Sequence, residues 1–260
     1  MEQYQSLIRI LKHCDIDCRF LDVARAKRIL AAEFSIAPRG IITIDSFDYT
    51  KNDVFNELDN IDFDRRLSIH ELIWRTPVLL DCLEKNEIDP AQIYQLENLY
   101  SDWHQRQVFD FISPYFAVSF AKIMSRLLKE AQFTEAASWM KMRHIMDNSN
   151  DRRTALSSTK EYLTDFTKLL RNLNDVTYKK SLSELEKFFS QPWRRFVNNL
   201  PGSFYRITND LLSAILNFTL IIKHIDRELC LKISRQMIEV RNIDGDLREG
   251  IVRGYGGFLK

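Results

Sequence analysis

Residues 204–225, FYRITNDLLSAILNFTLIIKHI, decide the fold class of this chain. Phe204, Ile207, Leu211, Ala214, Phe218, Ile221 and Ile225 recur at alternating steps of three and four, the spacing of one helix face. Leu212, Ile215, Leu216, Leu220 and Ile222 lie on the flanks of that stripe. A helix apolar over most of its circumference is covered on several sides, in a protein interior or between two partners. The run Leu211–Ile222 is twelve residues, interrupted by Asn217 and Thr219, whereas a bilayer span needs roughly 20 apolar residues. The stretch therefore reads as part of a central core helix over 203–240, with an oligomer seam as the other use of such a surface.

Glycine placement extends this reading outward. Of seven glycines, only Gly202 lies between Ile41 and Asp244. Tight turns and hairpins draw on glycine for positive φ, so this long stretch is not a sandwich or barrel of short strands. Helices joined by short polar loops need no such supply. Asp89-Pro90 and Ser113-Pro114 each place a capping residue before a proline at a first helical position. Ser181-Leu182-Ser183-Glu184 has the spacing of a capping box. Helices are expected near 3–13, 22–34, 51–60, 67–86, 90–112, 114–131, 134–147, 154–173, 181–190 and 203–240. The fold class is mainly α, a multi-helix bundle or short helical array with a small α/β element near the N-terminus.

That small element rests on Cys18–Leu21 and on Gly40–Asp45, whose β-branched residues favour a strand, with a helix between them. Residues 244–260 hold the other cluster of glycine and read as a flexible tail that orders on a partner through Ile251, Tyr255 and Phe258. The expected organisation is 1–50 as a small α/β element, 51–243 as a helical domain, and 244–260 as the tail.

At 260 residues, with 45% hydrophobic and 28% charged residues, the composition is that of a globular protein with a filled core. The net charge of +1 argues against a protein that coats nucleic acid over its whole surface. It hides a polarity. Residues 41–102 carry fourteen acidic against five basic residues, and residues 141–200 carry twelve basic against seven acidic. Facing halves of opposite charge, within one molecule or between two, favour defined self-association. Met1–Gln5 is polar and no apolar leader follows, so the four cysteines (Cys14, Cys18, Cys82, Cys230) are expected as reduced thiols in a cytoplasmic protein.

Candidate chemistry is sparse. Asp45, Asp48, Asp53, Glu57, Asp59, Asp62 and Asp64 are hard oxygen ligands of the kind Mg²⁺ and Ca²⁺ prefer. The stretch from Asp59 lacks the glycine and the glutamate of a calcium-binding loop, and a solvated acidic surface is expected. His13, Cys14 and Cys18 do not supply paired C-x2-C zinc ligands. His104, His144 and His224 stand far apart in the chain. Arg152-Arg153, Lys179-Lys180 and Arg194-Arg195, the last flanked by Trp193 and Phe196, mix cations with aromatics as single-strand nucleic-acid binders do. No phosphate loop, dinucleotide fingerprint, nucleophile elbow or zinc-protease motif occurs.

Two short resemblances stand beside this reading. Arg65-Arg66-Leu67-Ser68-Ile69-His70 is similar to the Arg-x4-His motif of the helical HEPN ribonucleases. That resemblance implies Arg65 as stabiliser of a charged phosphorus centre and His70 as general acid or base. Leu127-Leu128, Ala131, Phe133 and Glu135-Ala136 resemble the turn between paired helices of tetratricopeptide-like repeats, although no 34-residue period surrounds them.

The expected function is that of a non-catalytic helical interaction or regulatory protein, a subunit of a larger assembly, acting on another protein or by self-association. No catalytic, cofactor-binding or metal-binding residue is assigned, and no cofactor is expected. The alternatives are a HEPN-like ribonuclease using Arg65 and His70, and a nucleic-acid-binding module using the basic region 141–200.

Overall fold

The structure is a computed structural model and describes residues 3–92, 96, 105–146, 148–241 and 243–259. It is mainly α-helical, with one two-stranded sheet among the described residues. The chain divides into two compact units, Met1–Ser119 and Phe120–Lys260.

The first unit is built from α1 (Leu7–His13), α2 (Val23–Ile36), β1 (Ile41–Ile44), β2 (Phe47–Thr50), α3 (Lys51–Leu58), α4 (Phe63–Trp74) and α5 (Pro77–Lys85). Asp22 caps α2, accepting from the backbone N–H groups of Ala24 and Arg25. Ala26, Leu30 and Phe34 then fall one turn apart on its buried face. They join Leu7, Ile10 and Leu11 of α1, Ile42 and Tyr49 of the sheet, and Val54, Leu58 and Phe63 in one core. The strands pair antiparallel with Ile41 opposite Thr50 and Ile44 opposite Phe47. Asp45 and Ser46 make the two-residue turn with φ of 49° and 71°, the doubly left-handed geometry that matches strand twist. This hairpin forms without glycine, which is why glycine placement did not reveal β2. Thr50 ends β2 and caps α3 by accepting from the N–H of Asp53.

The expected strand at Cys18–Leu21 is instead a 3₁₀ turn, Cys18–Phe20, capped by Asp17. Phe20 is exposed there, so the segment has no buried face for a strand to present. The expected helix 67–86 starts earlier and breaks at Thr76, because a residue before proline is pushed out of helical geometry. Asp89 does cap a turn, accepting from Ala91 N–H at 2.9 Å, but that turn is the 3₁₀ segment Pro90–Gln92. Of the expected helix 90–112, residues 93–95 and 97–104, including His104, lie outside the described residues.

The unit boundary falls within α6 (Gln105–Lys129). Pro114 sits inside this helix rather than starting one; burial of Ile112, Phe116, Ala117 and Phe120 outweighs the lost backbone hydrogen bond.

The second unit continues with α7 (Phe133–Lys141), α8 (Ser149–Ala155), α9 (Ser157–Asn172), α10 (Leu182–Phe188), α11 (Gln191–Asn198), α12 (Tyr205–Ile222), α13 (Arg227–Ile238) and α14 (Gly245–Leu259). Ala131, at φ 55°, closes the end of α6, and Gln132 N–H donates to the Leu127 carbonyl at 2.8 Å. The two helices meet through the stacked rings of Phe120 and Trp139, 5.3 Å apart, and the Trp139 indole N–H donates to the Phe120 carbonyl. Helix α11, absent from the expected set, starts at the cap Ser190 and packs on α7 through Phe196 and Phe133.

Helix α12 is the centre of this unit, packed by α9, α13 and α14. Leu211, Leu212, Ala214, Ile215, Phe218 and Ile222 are all buried, as the all-round apolar pattern predicts. The expected single helix 203–240 is interrupted, because Asp226 caps α13 by accepting from Leu229 N–H. The apolar pattern outruns burial before that break: Leu220 and Ile221, in the last turn of α12, and Ile225 after it are exposed. Ser181 makes no side-chain capping bond at α10. Residues 245–259 are a helix, not an irregular tail. Asp244 caps α14 through the N–H groups of Asp246 and Leu247, Ile251 is buried, and Gly250 lies against Leu216. Packing on α12 and α13 overrides the poor helix propensity of its glycines. Among the described residues no helix is long and apolar enough to cross a membrane.

Candidate functional site

Two polar constellations stand out, one in each unit. In the first unit, α4 presents Arg66 and His70 one turn apart on the same face. Glu57 of α3 receives Arg66 through both oxygens, at 2.5 and 2.7 Å, and His70 Nε2 at 3.1 Å. The Tyr4 hydroxyl reaches His70 Nδ1 at 2.8 Å. A neutral imidazole protonated at Nε2 satisfies both bonds, donating to Glu57 and accepting from Tyr4. Burial pushes the Glu57 carboxyl upward, but the hydrogen bonds from His70 and Arg66 outweigh it and hold the group down to about 2. Burial raises the Tyr4 phenol well above its ordinary value. The Phe111 ring closes the cluster, 4.6 Å from the Arg66 guanidinium and edge-on to His70.

Arg65 is not part of this cluster. It is exposed and bonds Asp62 at 2.8 Å, and a residue five before His70 projects about 140° away around a helix. The structure thus brings His70 together with Arg66, not with Arg65. Both ring nitrogens of His70 are occupied, and the residue is buried.

The carboxylates of the acidic segment are dispersed among separate partners. Asp45 pairs with Arg9, Asp59 with Lys27, Asp62 with Arg65 and Asp81 with Lys85. Glu84 is fully buried and accepts from Arg9 Nη2 at 2.6 Å and Ser6 N–H at 3.0 Å. Arg9 and Lys27, cations from outside the acidic run, pair with three of its carboxylates, Asp45, Glu84 and Asp59.

The second unit holds a concavity of about 960 Å³. Lys141 ends α7, Arg143 and His144 occupy the following 3₁₀ turn, Arg152 and Arg153 project from α8, and Lys160 from α9. Leu156, Pro201, Phe204 and Ile207 are the apolar part of its lining, and no described aspartate or glutamate lines it. Three of these cations are held by uncharged groups. Arg152 Nε donates to the Met146 carbonyl at 2.7 Å, Arg143 Nη1 to the Met140 carbonyl at 2.9 Å, and Arg153 Nη2 to Asn150 Oδ1 at 3.2 Å. Among the described residues, none of Lys141, Arg143, Arg152, Arg153 and Lys160 forms a salt bridge with a carboxylate. Uncompensated like charges around a concave surface focus a positive potential that attracts anions.

Of the basic pairs singled out in the sequence, only Arg152-Arg153 lines this groove. Arg194 pairs with Glu239, and Lys179-Lys180 lies elsewhere. Trp193 and Phe196 are fully buried, so they present no ring face to a base. Lys141, Arg143 and Lys160 were not singled out. The signal for Lys160 was present, since Arg152, Leu156 and Lys160 follow the four-residue step of one helix face. His13 and His224 are exposed on other elements and join neither constellation. No protein-family model, curated protein or solved structure matches this chain.

Proposed function

We propose that this chain is a non-catalytic helical interaction or regulatory protein, a subunit of a larger assembly, whose binding surface is the basic groove of its second unit. The observation that carries the reading is the convergence of five cations, unpaired with carboxylates among the described residues, on a concavity lined by no acid. Charges arranged in this way gain their partner from outside the fold, and they steer association more than they stabilise the monomer. An assembly role also draws support from Leu220, Ile221 and Ile225, large apolar residues exposed at and beyond the end of α12. Four free cysteines, two of them buried, fit work in the cytoplasm.

The test is retention on a polyglutamate surface. Arg153→Glu combined with Lys160→Glu is expected to abolish retention, whereas Lys179→Glu with Lys180→Glu makes the same charge change outside the groove and is expected to retain it. Equal loss in both double variants would reduce the groove to bulk electrostatics and overturn the reading.

A further inference from the structure

Resting on the groove as the binding surface, we infer that its occupant is an acidic segment of a partner protein carrying apolar anchor residues. Charge complementarity sets the first half of that description: guanidinium groups of Arg143, Arg152 and Arg153 suit bidentate pairing with carboxylates. The apolar part of the lining sets the second half. Leu156 and Ile207 are half-buried and line the same groove as the cations, and an occupant gains from them only by burying apolar side chains of its own. A free inorganic anion has nothing to place there. The volume suits a short segment rather than a single ion.

A single-stranded nucleic acid fits less well. Stacking of bases on exposed aromatic rings supplies much of sequence-tolerant single-strand binding. Here Phe204 is only 5% exposed, and His144 alone among the lining residues offers an exposed ring. The cations remain, but the platforms do not.

Three labelled probes of equal formal charge distinguish the occupants by fluorescence anisotropy on the full chain: a glutamate–serine peptide, the same peptide with two serines replaced by leucine, and an oligouridylate. The leucine peptide is expected to bind about tenfold more tightly than the all-polar peptide, and more tightly than the oligouridylate. Ile207→Ser is expected to erase the margin between the two peptides. Equal affinity of the two peptides, or tighter binding of the oligouridylate, overturns this inference and leaves the groove an anion site. Binding of no probe, or binding indifferent to Arg153→Glu with Lys160→Glu, overturns the groove reading as well.

Discussion

In the first unit Arg9, Lys27, Arg65, Arg66, Arg75 and Lys85 each face a carboxylate; in the groove of the second unit Lys141, Arg143, Arg152, Arg153 and Lys160 face none among the described residues. The two regions use the same side chains for opposite ends. Around Glu57 and Glu84, charge is withdrawn from water and tied to named partners, so that it specifies how α1, α3, α4 and α5 meet. Around the groove, charge stays in water and acts at a distance. A tally of acids and bases along the chain marks 141–200 as basic but misses the first use, because it assigns Arg9 and Lys27 to a different segment from the carboxylates they neutralise.

The sharpest way to break the contrast is Glu84→Ala. It leaves the Arg9 guanidinium and the Ser6 N–H without their buried acceptor, and removing one member of a buried pair costs about 3–5 kcal/mol. Urea unfolding measures the loss; a change below about 1 kcal/mol would place Glu84 with ordinary surface acids.

Next comes the pH dependence of the Glu57 cluster. Because its folded-state carboxyl is held down to about 2, the stability it contributes is complete above the usual glutamate range and is lost as pH falls toward that value. Glu57→Gln is expected to flatten this acid limb in unfolding midpoints measured across pH. An unchanged limb would assign the acid sensitivity to other carboxylates.

A smaller effect is expected from Arg153→Ala with Lys160→Ala. If these cations serve a partner and not the fold, stability moves within about 0.5 kcal/mol. A thermal or urea loss well beyond that would make them structural and erase the difference between the two regions. The mildest change lies away from charge. Gly256 is exposed within α14 and an added Cβ meets nothing, so Gly256→Ala is expected to stabilise by about 0.5–1 kcal/mol, seen as a raised unfolding midpoint.

Much of the helical architecture was legible because long apolar periodicity reports burial directly, as in α12. Three features were not, each for its own reason. The hairpin hides because Asp45 and Ser46 supply the left-handed turn that glycine usually supplies. Helix α14 hides because its glycines disfavour a helix locally, and only packing of Ile251 and Gly250 on neighbouring elements reverses that preference. Pro114 looks like a helix start and sits mid-helix because the residues around it are buried. The groove was half legible. Arg152 and Arg153 drew notice as a pair, but convergence of four elements on one concavity is not a property of any contiguous stretch. In the Glu57 cluster the motif's spacing misleads: Arg66 and His70, four apart, share a helix face, and Arg65 does not.

Helix α14 also has a consequence for how the second unit breathes. Its glycines lower its own preference for a helix while Ile251 and Gly250 rest on neighbours, so it is expected to open as a whole rather than turn by turn. Native-state hydrogen exchange would then report one shared opening free energy for its amides, set below that of α12, whose amides are released only by global unfolding. On this reasoning residues 245–259 form a lower step than α12 in the unit's ladder of partial unfolding.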